Sequence, residues 1–342
     1  MNLPSHLSIA QLPTPLQPLT RWSERLGGPA IWCKRDDLTG VLWSGNKVRK
    51  LEFVIQDALE HDARMLITCG GIQSNHARTT AALAAHLGLG CHLLLKGSEP
   101  DQPTGNFLLD RLFGAHIDFI TADDYAQHSL ELMEEVAGRY RSRGISAYVI
   151  PEGASCALGT YGYARVIDEL WQQTRELDLV VEAIVCATGS GGTQAGLILG
   201  TRLTGWNVPV IGINICDDAG YFRQKISRLL QQVREAYVSD LDLREDDIHL
   251  IDGHVGEGYG RATTEELRTI CELASLEGLI LEPVYTGKAM HGLRQEIAAG
   301  RMKAMKNIVF IHTGGIFGLF PFCQQLKAVM KQDADLNWSK RF

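Results

Sequence analysis

The sequence predicts an α/β fold in two domains, and three observations carry that expectation. Short apolar runs rich in Val, Ile and Leu alternate with longer amphipathic stretches, the pattern of a parallel sheet covered by helices. Most of those runs stop at Gly, Ser, Asn or Thr. The chain has 342 residues, more than one hydrophobic core usually organises.

The runs expected to form strands are residues 30–34, 65–68, 92–95, 116–120, 147–150, 183–186, 208–215 and 307–312. Their polar ends matter because ligands in open α/β sheets bind beyond the carboxyl ends of the strands, where backbone N–H groups and helix starts face a crevice. Four ends, at 70–75, 151–155, 188–193 and 313–315, carry the hydroxyls, amides and glycines that one shared site would use. The alternation of strands and helices places a small domain at 53–160 and a large, discontinuous one at 1–52 and 161–342.

Hydrophobic residues at 45% and charged ones at 21% are ordinary values for a folded globular protein. A net charge of −7 supplies no basic field, so neither nucleic acid nor a membrane is expected as a partner. The first 20 residues lack a leader pattern, no apolar run is long enough to cross a bilayer, and the eight cysteines include no Cys-x-x-Cys pair. A cytoplasmic protein with reduced thiols is expected. The histidines show no ligand spacing, so no metal is expected, and Gly189-Ser190-Gly191 lacks the spacing of a hydrolase nucleophile.

The most informative stretch is Ser44-Gly45-Asn46-Lys47-Val48-Arg49-Lys50-Leu51-Glu52, a glycine turn leading into a helix that buries Val48, Leu51, Val54 and Ile55. At the helix entrance Lys47 meets the positive end of the helix dipole, and that field plus burial would lower its pKa toward the range useful for imine formation. Alone, such a lysine reads as a solvated cation. The loops around it change that reading. Thr188-Gly189-Ser190-Gly191-Gly192-Thr193 follows an apolar run and opens a helix, so its glycines, its N–H groups and the hydroxyls of Ser190 and Thr193 form a phosphate cradle. No Gly-Lys-Ser or Gly-Lys-Thr follows, which favours a single terminal phosphate over a nucleoside triphosphate.

Cys69-Gly70-Gly71-Ile72-Gln73-Ser74-Asn75-His76 repeats the strand-to-helix form, with Ser74 and Asn75 at or near the N-cap. Beside a cofactor, Asn75 could donate to a ring oxygen, and Ser74, with Gln73 next to it, could relay a proton or hold a substrate carboxylate. Tyr285 lies in Glu282-Pro283-Val284-Tyr285-Thr286-Gly287-Lys288, and Tyr259 stands among glycines in Gly256-Glu257-Gly258-Tyr259-Gly260, where a bulky residue is rarely needed for packing. In His312-Thr313-Gly314-Gly315 a hydroxyl at a strand end could reach a cofactor ring nitrogen.

Taken together, these stretches, with Thr14-Pro15-Leu16 and Lys34-Arg35-Asp36-Asp37 near the start, resemble the D-cysteine desulfhydrase and 1-aminocyclopropane-1-carboxylate (ACC) deaminase family over nearly the whole chain. The resemblance implies a fold-type II pyridoxal 5′-phosphate (PLP) enzyme: two open twisted α/β domains with the cofactor in the cleft between them, usually as a homodimer. It implies Lys47 as the Schiff-base lysine, Asn75 as the partner of the cofactor's phenolate oxygen and Ser74 as the substrate-side serine. Tyr259 and Tyr285 match the two active-site tyrosines, and Thr188, Gly189, Ser190, Gly191, Gly192 and Thr193 the phosphate loop. The resemblance also implies a small amino acid as substrate, and Ser74, Asn75, Tyr259 and Tyr285, with Gln73 from its place beside Ser74, are the residues expected to bind it.

Within the family, ACC deaminases resemble one another in carrying Glu after the Pro-Val-Tyr tyrosine and Leu before the late Gly-Gly. Here those positions hold Thr286 and Thr313, which point to the desulfhydrase type. A Glu beside the pyridine nitrogen keeps it protonated and the ring a strong electron sink, whereas a Thr hydroxyl only hydrogen-bonds it. β-Elimination of D-cysteine to pyruvate, hydrogen sulfide and ammonia is therefore expected, with ACC deamination to 2-oxobutyrate or lysis of another β-substituted amino acid such as L-cysteate as alternatives. A PLP-binding or metabolite-sensing protein is the non-enzymatic alternative. Trp43, Glu152 and Cys156 depart from the commoner desulfhydrase wording and are candidates to line the pocket.

Overall fold

The computed structural model describes residues 3–337, with side chains as far as residue 332. Two sheets organise these residues. The larger has the order β1-β2-β10-β7-β8-β9, built from β1 (Leu16–Pro18), β2 (Ala30–Lys34), β7 (Ala183–Thr188), β8 (Val210–Asn214), β9 (His249–Ile251) and β10 (Asn307–Ile311). The smaller has the order β5-β4-β3-β6, from β3 (Met65–Gly71), β4 (Gly90–Lys96), β5 (His116–Ile120) and β6 (Ala147–Val149). Every pairing is parallel except that of β1 with β2.

All eight expected runs contain strands, and the central ones such as β3 and β7, buried almost throughout, need the continuous apolar run that stands out in the sequence. In β7, Ala183 and Val185 join one core cluster while Ile184 and Cys186 join the other, the alternation a pleated strand imposes. The two strands that the sequence did not announce, β1 and β9, have three residues each and lie at the edges of the large sheet, where Pro18 is tolerated. Such short edge segments carry no readable period.

Eleven helices complete the described fold: α1 (Thr20–Leu26), α2 (Asn46–Glu60), α3 (Asn75–Leu87), α4 (Gly105–Leu112), α5 (Ala122–Arg141), α6 (Ala157–Glu176), α7 (Gly192–Thr204), α8 (Ala219–Ala236), α9 (Thr264–Glu277), α10 (Thr286–Ala298) and α11 (Cys323–Asn337). Among the described residues no helix is long and apolar enough to cross a membrane. In α2, Val48, Leu51, Val54 and Ile55 are buried against Leu66 and Leu93 of the small sheet. The expected domain borders at 52/53 and 160/161 fall inside α2 and α6.

A buried polar hub fixes α2. The Arg49 guanidinium donates to both oxygens of Asp36 (2.9 and 2.8 Å) and to both of Glu169 (2.7 and 3.0 Å). Lys34 Nζ donates to Glu169 (2.8 Å), and the hydroxyls of Tyr163 (2.7 Å) and Thr14 (2.8 Å) donate to Asp36. Burial alone would raise the Glu169 carboxyl; Arg49 and Lys34 more than offset it and hold its pKa at about 2. The hub joins β2, α2 and α6, and so sets the helix whose first turn carries Lys47.

Candidate active site

Lys47 owes its position to the chain just before it. Gly45 has φ 108°, and a Cβ there would lie 2.5 Å from the Thr313 carbonyl oxygen, so glycine is required for the loop to press against the end of β10. The Asn46 N–H donates to that same oxygen (3.1 Å), and the Gly45 N–H to Thr39 Oγ1 (2.9 Å). From α3, the buried Arg78 donates to the carbonyls of Leu42 (2.5 Å) and Ser44 (3.0 Å). The first turn of α2 is thereby clamped between the two sheets.

Lys47 is 8% exposed, and its amine has no hydrogen-bond partner among the described residues. Burial lowers its pKa to about 8, against the opposing charge of Glu152 and with a contribution from Lys225. Lys50 is also buried, and burial followed by the charge of Lys47 pushes it well below the ordinary lysine value. Acidity alone would favour Lys50 as the reactive amine. Its Nζ, however, is committed to the Gly153 carbonyl (3.0 Å) and Ser155 Oγ (3.2 Å), whereas Lys47 faces an open cavity.

That cavity, about 410 Å³ of space including its opening to solvent, is lined by the starts of α2 and α3, the end of β7 with the loop after it, and residues Tyr285 and Thr313. One wall is the loop before α7, represented by Thr188, Gly189, Ser190, Gly191 and Thr193. Gly191 has φ 79°, and a Cβ on Gly192 would fall 2.5 Å from Ser155 Oγ and 2.6 Å from Lys50 Nζ, so the backbone passes where no side chain fits. The first N–H groups of α7 have no intrahelical acceptor and carry the positive end of its dipole. Ser190 Oγ pairs with Ser155 Oγ (2.9 Å), and Thr193 Oγ1 accepts from Asn46 Nδ2 (3.0 Å), which leaves the Thr193 hydroxyl proton free to donate. Gly192 lies behind this wall, and the Thr188 hydroxyl is spent inside it, donating to Gln194 Oε1 (2.8 Å).

The opposite wall holds Asn75 at the start of α3. Asn106 Nδ2 donates to Asn75 Oδ1 (2.9 Å), and Arg78 Nε donates to Asn106 Oδ1 (3.2 Å). This relay fixes the Asn75 amide and leaves its Nδ2 as a donor without an acceptor among the described residues. Ser74 caps α3, its Oγ accepting from the Ala77 N–H (3.1 Å), so its own proton remains available; it stands one residue behind the lining. Gln73 is not brought to the cavity. Its amide donates to the Thr104 carbonyl (3.0 Å) and accepts from the Asn106 N–H (2.9 Å), which pins the start of α4.

Tyr285 and Thr313 close the cavity on the side of the large sheet. The hydroxyls of Tyr285 and Tyr259 are 2.8 Å apart, with the rings edge to face, and burial pushes the Tyr285 phenol well above its ordinary pKa. Tyr259 joins the site through Tyr285 and does not line the cavity itself. Glu282 sets Tyr285: its carboxylate accepts from the N–H groups of Val284 (2.7 Å), Tyr285 (2.6 Å) and Thr286 (2.8 Å). Burial raises the Glu282 pKa to about 7 against the pull of those three donors. The Thr286 hydroxyl accepts from the Glu282 N–H (3.0 Å) and stays out of the cavity.

Of the other candidates, Trp43 packs against His86 and Cys156 caps α6; neither lines the cavity. Asn46 and Gln194 line it unannounced, and Lys50 and Glu282 brace it. Lys50 had a readable signal, lying three residues from Lys47 on one helix face, and Glu282 had one as an acid just before a helix start. His92, His116 and Asp118 come together on adjacent strands of the small sheet, a grouping no linear spacing reveals, at the strands' amino ends.

These groups fit PLP. A buried amine without a partner, a glycine-lined helix start for a phosphate and a fixed amide donor are the three kinds of contact the cofactor uses.

Residues 7–314 match the family described as "Pyridoxal-phosphate dependent enzyme". The chain is 40% identical to the bifunctional D-cysteine desulfhydrase/1-aminocyclopropane-1-carboxylate deaminase, mitochondrial, of Arabidopsis thaliana, over 99% of this chain and 84% of that protein. It is 41% identical to D-cysteine desulfhydrase of Salmonella newport, over 92% and 95% of the two chains. The crystal structure of an ACC deaminase homologue superposes with a TM-score of 0.86 at 35% identity, covering 96% of this chain and 97% of the other. A fungal L-serine ammonia-lyase from Rhizomucor miehei, at 15% identity and a TM-score of 0.67 over 95% and 99% of the two chains, shares the fold.

Proposed function

The chain belongs to the PLP-dependent enzymes, in the D-cysteine desulfhydrase and ACC deaminase family, and from that premise we propose that it eliminates the β-substituent of a small amino acid, converting D-cysteine to pyruvate, hydrogen sulfide and ammonia. The observation that carries this reading is Lys47, a buried amine with no partner among the described residues, facing a cavity whose described lining contains no acidic side chain.

PLP, when bound, supplies an electrophilic carbon for an amine and an electron-withdrawing ring that stabilises charge at the substrate Cα. Lys47 is the residue that would hold it. The loop 188–193 and the start of α7 would take its phosphate, and Asn75 Nδ2 its phenolate oxygen. Thr313 would meet the ring nitrogen with a hydroxyl. Without a carboxylate there, the weaker sink suits loss of a thiolate better than opening of a cyclopropane.

Displaced by substrate, Lys47 Nζ would take the Cα proton, and its lowered pKa keeps a usable fraction of free amine near neutrality. Ser74, whose hydroxyl proton is uncommitted, would hold the substrate carboxylate or relay a proton, and Tyr285, with Tyr259 behind it, would face the departing β-substituent. Gln73 would act through the backbone it fixes.

Release of sulfide and pyruvate from D-cysteine is the expected outcome of a product assay over D-cysteine and ACC. Formation of 2-oxobutyrate from ACC with no sulfide from D-cysteine would overturn the assignment in favour of the deaminase. A second expectation concerns cofactor loading. The free amine of Lys47 reaches half its maximum at about pH 8 and saturates roughly one unit above it, so the rate of PLP uptake by apoprotein should climb through about pH 8 and then level off. A rate still climbing toward the ordinary lysine value of 10.5, followed by visible absorbance, would contradict the assignment of that amine.

The reading extends to a two-domain enzyme divided at 1–52 with 161–342 and at 53–160, in which α2 and α6 connect the parts. It also extends to a cytoplasmic homodimer, whose mass light scattering would measure.

A further inference from the structure

On the small sheet, β4 and β5 run parallel with His92 opposite His116, and Asp118 stands two residues beyond His116 on the same face. Nε2 of His92 lies 3.1 Å from Asp118 Oδ2, Nε2 of His116 lies 3.6 Å from Oδ1, and one ligand atom from each residue falls within 4.8 Å of the other two. Ligands held tetrahedrally at about 2.0–2.1 Å from a zinc ion stand about 3.3–3.4 Å from one another. The two nitrogen-to-oxygen separations bracket that edge. The histidines lie far apart in the sequence, and only the pairing of β4 with β5 joins them.

The donors are oriented as metal ligands are. His92 is 3% exposed, and burial favours its neutral, metal-binding ring. Its Nδ1 lies 3.1 Å from the Tyr140 hydroxyl in the last turn of α5. With the ring proton on Nδ1 and donated to that oxygen, the Nε2 lone pair faces the Asp118 carboxylate, and two electron-rich atoms repel unless a positive charge lies between them. The other tautomer fills the gap with a proton, for which a divalent cation competes. His116 is exposed on β5, the edge strand of the sheet, so an ion can enter and water can complete its coordination. Arg139 also faces Asp118, but at 3.8 Å it is too distant to hydrogen-bond, and its largely exposed side chain can turn away.

We propose that His92, His116 and Asp118 form a binding site for one divalent transition-metal ion of the zinc class, with water as the remaining ligand. Two imidazoles and one carboxylate suit Zn²⁺ or Ni²⁺, whereas Mg²⁺ is held by oxygen. The site lies toward the amino ends of β4 and β5, whereas the cavity of Lys47 opens at the strands' carboxyl ends, where α3 begins. The ion would therefore tie the edge strand to β4 and, through His92, to α5, and its effect falls on the stability of the small sheet. The site does not depend on the elimination reading.

The test is titration calorimetry of the holoenzyme with Zn²⁺, Ni²⁺ and Mg²⁺, in wild type, His116→Ala, Asp118→Asn and Tyr140→Phe. His116 is exposed and Asp118→Asn keeps an oxygen beside His92, so both variants should fold. Wild type should take up one Zn²⁺ or Ni²⁺ with a Kd on the order of micromolar and no Mg²⁺. His116→Ala and Asp118→Asn should weaken Zn²⁺ about 100-fold or more, and Tyr140→Phe about tenfold, through the lost partner of His92. Zn²⁺ at about 100 times its Kd should raise the wild-type unfolding midpoint by about 3 °C and leave that of His116→Ala unmoved. The site is overturned if wild type binds no Zn²⁺ up to about 1 mM, or if Mg²⁺ binds as well as Zn²⁺. It is also overturned if both ligand variants stay within about threefold of wild type, which would place the ion elsewhere, as on the exposed thiol of Cys323.

Discussion

Lys47→Ala is expected to lower kcat for pyruvate release about 10³- to 10⁴-fold, because the substitution removes both the amine that holds the cofactor and the base that takes the Cα proton. The protein should still fold. Lys47 makes no hydrogen bond or ion pair among the described residues, so the fold loses no described partner with it, and it relinquishes a buried cation that burial penalises. Thermal unfolding of the apoprotein at or above the wild-type midpoint, with activity gone, is the expected pair of results. Activity within tenfold of wild type would move the catalytic amine elsewhere, and Lys50 would be the first residue to examine.

Arg49→Ala should act on stability. Arg49 is 1% exposed and satisfies two carboxylates, so its loss leaves the buried Asp36 without its ion-pair partner and Glu169 with Lys34 alone. Breaking such a pair costs about 3–5 kcal/mol, visible as a lower urea midpoint. The hub also gives wild type a pH signature. The Glu169 carboxyl sits at about 2 when folded and nearer 4.5 when unfolded, so its contribution is complete above about pH 4.5 and fades as pH falls toward 2. In Arg49→Ala that acid-side decline should be shallower, since most of the offset to burial is gone. An unchanged urea midpoint would show that the hub does not hold α2.

Much of the architecture could be read from the sequence because its largest determinants are local. Central strands such as β3 and β7 are buried almost throughout and need unbroken apolar runs, and Gly45, Gly191 and Gly192 are glycines because a Cβ at each would collide or strain the backbone. What the sequence concealed depends on residues far apart in the chain. Gln73 has the position of a substrate contact, yet Thr104 and Asn106 claim its amide. Arg78 reads as an ordinary helix arginine, yet through Asn106 it orients Asn75. Thr286 and Thr313 read as a matched pair, but only Thr313 reaches the cavity, because the Thr286 hydroxyl turns back to the chain at Glu282.

The assignment of Lys47 rests on geometry prevailing over acidity, since Lys50, three residues away, is buried more completely and has the more depressed pKa. Reduction of the holoenzyme with borohydride fixes the cofactor to whichever amine holds it, and peptide mass mapping then locates the label. A pyridoxyl group on Lys47 and none on Lys50 is the predicted result; a label on Lys50, or none on the protein, would contradict the account.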